Sequence, residues 1–241
     1  MSRIFNRKRR EAAASGKVLD YLKYAVGEIV LVVIGILIAL SINNWNADKN
    51  EQARVKRAGR VVMNTLRQDT TTISFIIQQF EPRKELYEKI MNDQMPLDSV
   101  ENCGLCPYLL TSIVPMKLNT NGYNLTKDME TDMSSDIDSL VYNTNNFYET
   151  VTPMLDVINK LLQDEVQGTF DDWKANQPWF KNWRNDVRDA AMNEYLAEDP
   201  VFKNRIAYHH LLLYNNFLPA LEQVKEEATQ LADQWEEQLK E

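Results

Sequence analysis

The chain has 241 residues, 44% hydrophobic and 26% charged, which excludes wholesale disorder. Seven Gly and eight Pro are too few for the turns of a sandwich or barrel, and two Cys and two His are too few for a disulfide scaffold or an ordinary zinc site. The net charge of −8 is split: residues 1–60 hold 12 Lys/Arg against 5 Asp/Glu, and residues 61–241 hold 15 against 30, so no nucleic-acid partner is expected of the acidic body.

The chain opens on a basic tail in which Arg7-Lys8-Arg9-Arg10 suits anionic lipid headgroups. From Ala25 to Ile42 run 18 residues with a single charge, Glu28. As a helix this stretch spans about 27 Å, close to the hydrocarbon thickness of a bilayer. Tyr21 and Tyr24 before it and Trp45 after it form the aromatic belts of two interfaces, and Asn43, Asn44 and Asn46 end the apolar run. A cleaved signal would use the small-x-small step Ala39-Leu40-Ser41, but the segment before the apolar run is long for a signal and Glu28 interrupts the apolar region. The expectation is an uncleaved anchor. Arg3, Arg7, Lys8, Arg9, Arg10, Lys17 and Lys23 precede it, against Lys49, Arg54, Lys56, Arg57 and Arg60 behind it, which orients the N-terminus to the cytoplasm. The predicted parts are a basic cytoplasmic tail (1–24), a transmembrane helix (25–45) and a helical periplasmic domain (46–241).

Two features of the span carry function. Glu28 is an ionisable residue one turn inside it, and its alternatives are an ion-moving role or pairing at the nearby interface with a residue such as Lys23. Gly27, Gly35 and Ala39 share a face on which small residues let two helix backbones approach.

Residues Tyr24–Leu40, followed by Ile42-Asn43-Asn44-Trp45-Asn46, closely resemble the opening of a family of uncharacterised single-span membrane proteins from Bacteroidota (domain of unknown function 6090 type), mainly over residues 21–46. A weaker echo lies in Leu118-Asn119-Thr120-Asn121-Gly122. The resemblance implies one N-terminal span followed by a helical extracytoplasmic domain; it implies no catalytic residue.

Beyond residue 47 the apolar spacing is helical. Val55, Ala58, Val62, Leu66, Ile73, Ile76 and Phe80 continue the span as a stalk, with Asp69 near its apolar face and in need of an Arg or Tyr partner. Pro82 opens a helix to about Asn92; 93–107 reads as a loop; Tyr108–Val114 reads as a short helix; Lys117–Thr131 reads as irregular, with a turn at Asn121-Gly122. Ser134 or Ser135 caps a helix to about Val166 carrying Ile137, Leu140, Val141, Phe147, Val151, Leu155, Ile158 and Leu162, and Gly168–Pro178 is read as its break. A short helix at about Asn182–Leu196 follows. Asp199-Pro200 starts the last helix, whose stripe is Phe202, Ile206, Leu213, Phe217, Leu221, Val224, Ala228, Leu231, Trp235 and Leu239. The fold class is all-α: one transmembrane helix continuing into an extracytoplasmic antiparallel bundle.

Cys103-Gly104-Leu105-Cys106 has redox character, but no strand precedes it as in a thioredoxin-like enzyme, and Pro107 stands where a c-type haem signature needs His. Outside the cytoplasm the pair is expected as a disulfide that tightens a loop. Trp173, Trp179, Phe180 and Trp183 are so concentrated that they either dock a partner or plug the end of the bundle. Asp128-Met129-Glu130-Thr131-Asp132 lacks the glycine of a calcium loop, and His209 and His210 diverge on one helix with no nucleophile partner. No catalytic, cofactor-binding or metal site is expected. The reading is a non-enzymatic, single-pass protein of a bacterial inner membrane, a structural or interaction component of the envelope. Its partners are the lipid bilayer and either a second copy or another envelope protein; the alternative is a subunit of an ion- or substrate-moving complex using Glu28.

Overall fold

The structure is a computed structural model that describes residues 18–240 apart from Glu130, Asp132, Met133, Ser134 and Asp186, with side chains from Leu22 onward. The cluster Arg7–Arg10 and part of the Asp128–Asp132 run lie outside the described residues. Among the described residues all regular structure is helical. The helices are α1 (Val18–Phe80), α2 (Lys84–Met91), α3 (Leu97–Glu101), α4 (Tyr123–Thr126), α5 (Asp136–Asn176), α6 (Phe180–Trp183), α7 (Ala190–Glu198), α8 (Pro200–His210) and α9 (Leu218–Gln238). A π-helical stretch, Leu211–Phe217, joins α8 to α9. The chain divides into two compact units, Met1–Lys56 and Arg57–Glu241.

The described part of the first unit is the N-terminal portion of α1, and it is apolar without being packed. Its most apolar 18-residue window has a mean hydropathy of 2.7 and none of it is buried. This is the one helix among the described residues long and apolar enough to cross a membrane. Within it, Ser41 Oγ donates to the Leu37 carbonyl at 2.8 Å, so its hydroxyl is satisfied inside the helix.

The second unit is built on periodicity that the sequence displays. Ala58, Val62, Leu66, Ile73, Ile76 and Phe80 of α1 are buried, as are nine of the ten residues of the C-terminal stripe, Leu239 being half-buried. Ser135 caps α5 by accepting from the Asp138 N–H, and Asp199 caps α8 by accepting from Val201 and Phe202, with Pro200 in the first turn. Asp93 takes a left-handed φ of 57°, and the bonds Asp93 N–H to Ile90 and Gln94 N–H to Lys89 close α2 as a Schellman motif.

Several boundaries differ from the sequence reading; α3 forms inside the stretch read as a loop over 93–107, and α4 inside the stretch read as irregular over Lys117–Thr131. The break read at Gly168 does not occur: α5 runs on to Asn176. A helical glycine costs only about 1 kcal/mol, and the next turn buries Thr169 and Trp173 completely. The helix ends instead at Gln177, extended before Pro178. The short helix read at Tyr108–Val114 is replaced by a 3-10 turn, Cys106–Tyr108, and an irregular strand of chain through residues 112–119. The single helix read over 182–196 is two, α6 and α7, with Asp189 capping the second by accepting from the Met192 N–H.

Candidate functional site

The irregular segment 112–122 poses a problem of polar bookkeeping. Met116 is 1% exposed, so its backbone groups are shut away from water with no ladder or helix to satisfy them. Asn159, buried on α5, answers with both ends of its side-chain amide. Its Nδ2 donates to the Met116 carbonyl at 2.7 Å, and its Oδ1 accepts the Met116 N–H at 3.1 Å. Three residues on, the Asn119 N–H donates to both carboxylate oxygens of Asp69 at 3.0 and 3.3 Å. Asp69 therefore takes a backbone amide, where an Arg or Tyr was expected from the sequence. Gly122 completes the clasp: a Cβ there would stand 2.6 Å from Val62 Cα, so only glycine lets the turn lie this close to α1.

Burial pushes the Asp69 carboxyl up to about 6, against the lowering effect of the Asn119 amide. A second buried group shifts the other way. His209 is fully buried, and the Tyr87 hydroxyl sits between it and the backbone, donating to the Leu109 carbonyl at 2.6 Å and lying 2.9 Å from His209 Nδ1. Desolvation, followed by the nearby His210, lowers His209 to about 4. Between pH 4 and 6.5 the two groups oppose each other. The folded state binds more protons than the unfolded at Asp69, so acidification stabilises; it binds fewer at His209, so acidification destabilises. Asp69→Asn removes the first contribution. The variant is expected to lose about 2 kcal/mol more than the parent between pH 7 and pH 4.5, read as the shift in urea midpoints at the two pH values.

The Cys103 and Cys106 sulfurs are joined, and the loop that carries them is held by Arg188. The guanidinium donates to the Cys103 carbonyl at 2.6 Å, to the Val100 carbonyl, and through Nε to Asn193. Sequence reasoning passed over Arg188 because the segment before α7 has no periodicity to mark it. Closing so small a loop restricts the unfolded chain little, so reduction should cost about 2 kcal/mol. Thiol labelling of the urea-unfolded protein without reductant should find no free cysteine; labelling of both would count against oxidation in the mature protein.

The aromatic group requires a correction. Trp173, Trp179 and Trp183 are 0%, 2% and 5% exposed, and Phe180 is half-buried. The three tryptophans have no exposed face to dock with, so of the two readings the plug is the one they fit, and Phe180 alone is partly exposed. They form an interior plug: Trp173 meets Trp179 and Trp183 edge-on at 5.2 and 5.3 Å and donates from Nε1 to the Tyr195 hydroxyl at 3.0 Å.

In the first unit Glu28 and Ala39 are exposed, and a Cβ at Gly27 or Gly35 would meet nothing within 4 Å. Elsewhere, a groove of about 310 Å³ is lined by Asp136, Ser139, Asn143, Gln234 and Glu237 among others. Among the described residues no three His, Cys, Asp or Glu side chains gather as a metal site.

Residues 28–95 match the model of a family of unknown function (DUF6090). The match begins at Glu28 and extends past α1 and α2, so it reaches well beyond the apolar segment that carried the sequence resemblance and leaves out Leu118–Gly122. No curated protein and no solved structure matches the chain.

Proposed function

We propose that this protein is a single-pass, membrane-anchored helical domain that serves as a structural or interaction component of a bacterial envelope, with the N-terminus in the cytoplasm and residues 46–241 outside the inner membrane. One observation carries the reading. No residue of the apolar window of α1 is buried, and side chains such as Ile29, Leu31, Ile36 and Ile42 are each more than half exposed. At roughly 25 cal/mol per Å² of apolar surface, leaving such a run in water is untenable, and lipid is the solvent that fits its length. The Lys/Arg bias supports the orientation, and the acidic body suits a translocated domain with little affinity for anionic headgroups.

Self-association is the contact proposed for the span. Lipid gives helices no hydrophobic drive to associate, so close packing on the face of Gly27, Gly35 and Ala39 has to supply it. A periplasm-active phosphatase fused after Glu241 should be active, and the full-length protein should run as the 28.1 kDa chain in the membrane fraction. An active cytoplasmic reporter overturns the orientation; a soluble product shortened at Ala39-Leu40-Ser41 overturns the anchor. In mild detergent Gly35→Leu should lower oligomer content by mass photometry, with the helical circular dichroism of the body unchanged. A monomeric parent, or an unchanged oligomer in the variant, places the contact elsewhere.

A further inference from the structure

The hydrogen of one hydroxyl fixes which nitrogen of His209 is protonated. Tyr87 Oη lies 2.6 Å from the Leu109 carbonyl oxygen and 2.9 Å from His209 Nδ1. A carbonyl only accepts, so the Tyr87 hydrogen is spent on Leu109, and the Tyr87 oxygen is left to accept from an Nδ1–H. His209 is thereby held as the Nδ1–H tautomer, and its Nε2 carries a bare lone pair. That atom is buried and has no hydrogen-bond partner, in a residue that is 0% exposed. The arrangement ties three segments at one point: α2 through Tyr87, α8 through His209, and the chain just after the Cys103–Cys106 loop through Leu109. The π-helical stretch Leu211–Phe217 begins two residues later and brings Tyr214 edge-on to Tyr87 at 5.3 Å, with its hydroxyl donating to the Phe80 carbonyl. Such π-helical turns are rare and are found often at functional sites.

We propose that His209 is a proton-released latch: a proton taken up at Nε2 frees α2 and the chain from Cys106 to Thr111 from α8, while the rest of the second unit stays folded. Nδ1 already carries a hydrogen, so Nε2 is the atom that titrates. The imidazolium would place a new N–H where the fold offers no acceptor, and a buried donor left unpaired is costly. The neighbouring charges do not offset it. His210 is the titratable group that acts on His209, and it opposes protonation. On α2, Lys84 and Glu88 act on His210; in the turn Glu81–Arg83, Arg83 acts on Tyr87 and Tyr214, and Glu81 acts on Tyr214. Arg205, one turn back on α8, is engaged by Glu165 and Asp172 of α5. Opening solvates Nε2, so the opened state takes its proton near pH 6.5 and the closed state only at about 4. Opening therefore grows as the pH falls through that window. Asp69 offsets this in the stability of the whole unit, but it lies on α1 against Asn119, and its proton does not restore the link between α2 and α8.

Amide hydrogen exchange of the full-length protein in mild detergent, at pH 6.5 and 4.5 and corrected for the intrinsic rate at each, tests the latch. Opening of residues 84–91 and 106–111 should rise about thirtyfold between the two pH values, and α9 should not follow. His209→Asn keeps an N–H near the Nδ1 position and does not titrate, so it should hold both segments closed at both pH values. Unchanged opening in the parent, an equal rise over α9, or a rise that persists in His209→Asn overturns the proposal. Nitrogen NMR on protein labelled in its two histidines gives a reading that needs no folded variant at position 209. At pH 7 the His209 ring, identified by the loss of the other signals in His210→Gln, should show a protonated Nδ1 and a bare Nε2. A protonated Nε2 in that ring overturns the proposal. Neither measurement depends on the orientation of the membrane segment.

Discussion

Asn159→Ala is expected to destabilise the second unit by about 3–4 kcal/mol, because it strands two buried backbone groups at once. Asn159 is 4% exposed and Met116 1%, so water does not replace the lost amide. The Met116 N–H and carbonyl would each bear a desolvation penalty of about 1–3 kcal/mol, and truncation leaves a small cavity besides. Urea unfolding of the detergent-solubilised full chain, followed by tryptophan fluorescence, measures the loss. Asn159→Asp is the informative companion, since it keeps an acceptor for the Met116 N–H but faces the Met116 carbonyl with an oxygen. If Asn159→Ala costs less than about 1 kcal/mol, residues 112–119 do not depend on this amide for their place.

Gly59→Ala should cost about 2–4 kcal/mol, near the top of the range for overpacking. A Cβ at this position would stand 2.3 Å from two carbons of the Trp235 ring. That ring has nowhere to move: Trp235 is fully buried, and its Nε1 donates to Thr144 Oγ1 at 2.8 Å. Accommodation therefore means breaking that bond or pushing α1 and α9 apart. In a free helix the same substitution would gain about 1 kcal/mol, so the sign of the effect separates helix propensity from packing. Gly59→Ala with unchanged or raised stability would show that the Trp235 contact yields.

The pH behaviour follows from the same buried polar groups. Asp69 and His209 titrate in opposite senses over the same window, so the parent protein should show little net pH dependence from this pair between pH 4 and 6.5. Each single substitution uncovers the slope of the other. That makes the pH dependence of a variant a sharper probe of burial than that of the parent.

What the chain determines by itself is its periodic content. A long uninterrupted apolar run, stripes at threes and fours, and capping residues such as Ser135 and Asp199 act within one helix, and they read correctly because helix formation and capping are local. Only the tertiary structure decided the rest. Gly168 resembles a breaker in isolation, but the burial of Thr169 and Trp173 beyond it outweighs the propensity of one residue. The sequence stripe of α5 runs Leu155, Ile158, Leu162, yet the buried place between them belongs to Asn159, whose role depends on Met116, 43 residues away. Whether clustered tryptophans face solvent or one another is likewise a matter of which helices close over them. Backbone groups with no regular partner, and the side chains that satisfy them, are decided by contacts between distant segments, and periodicity along one segment carries no record of those contacts.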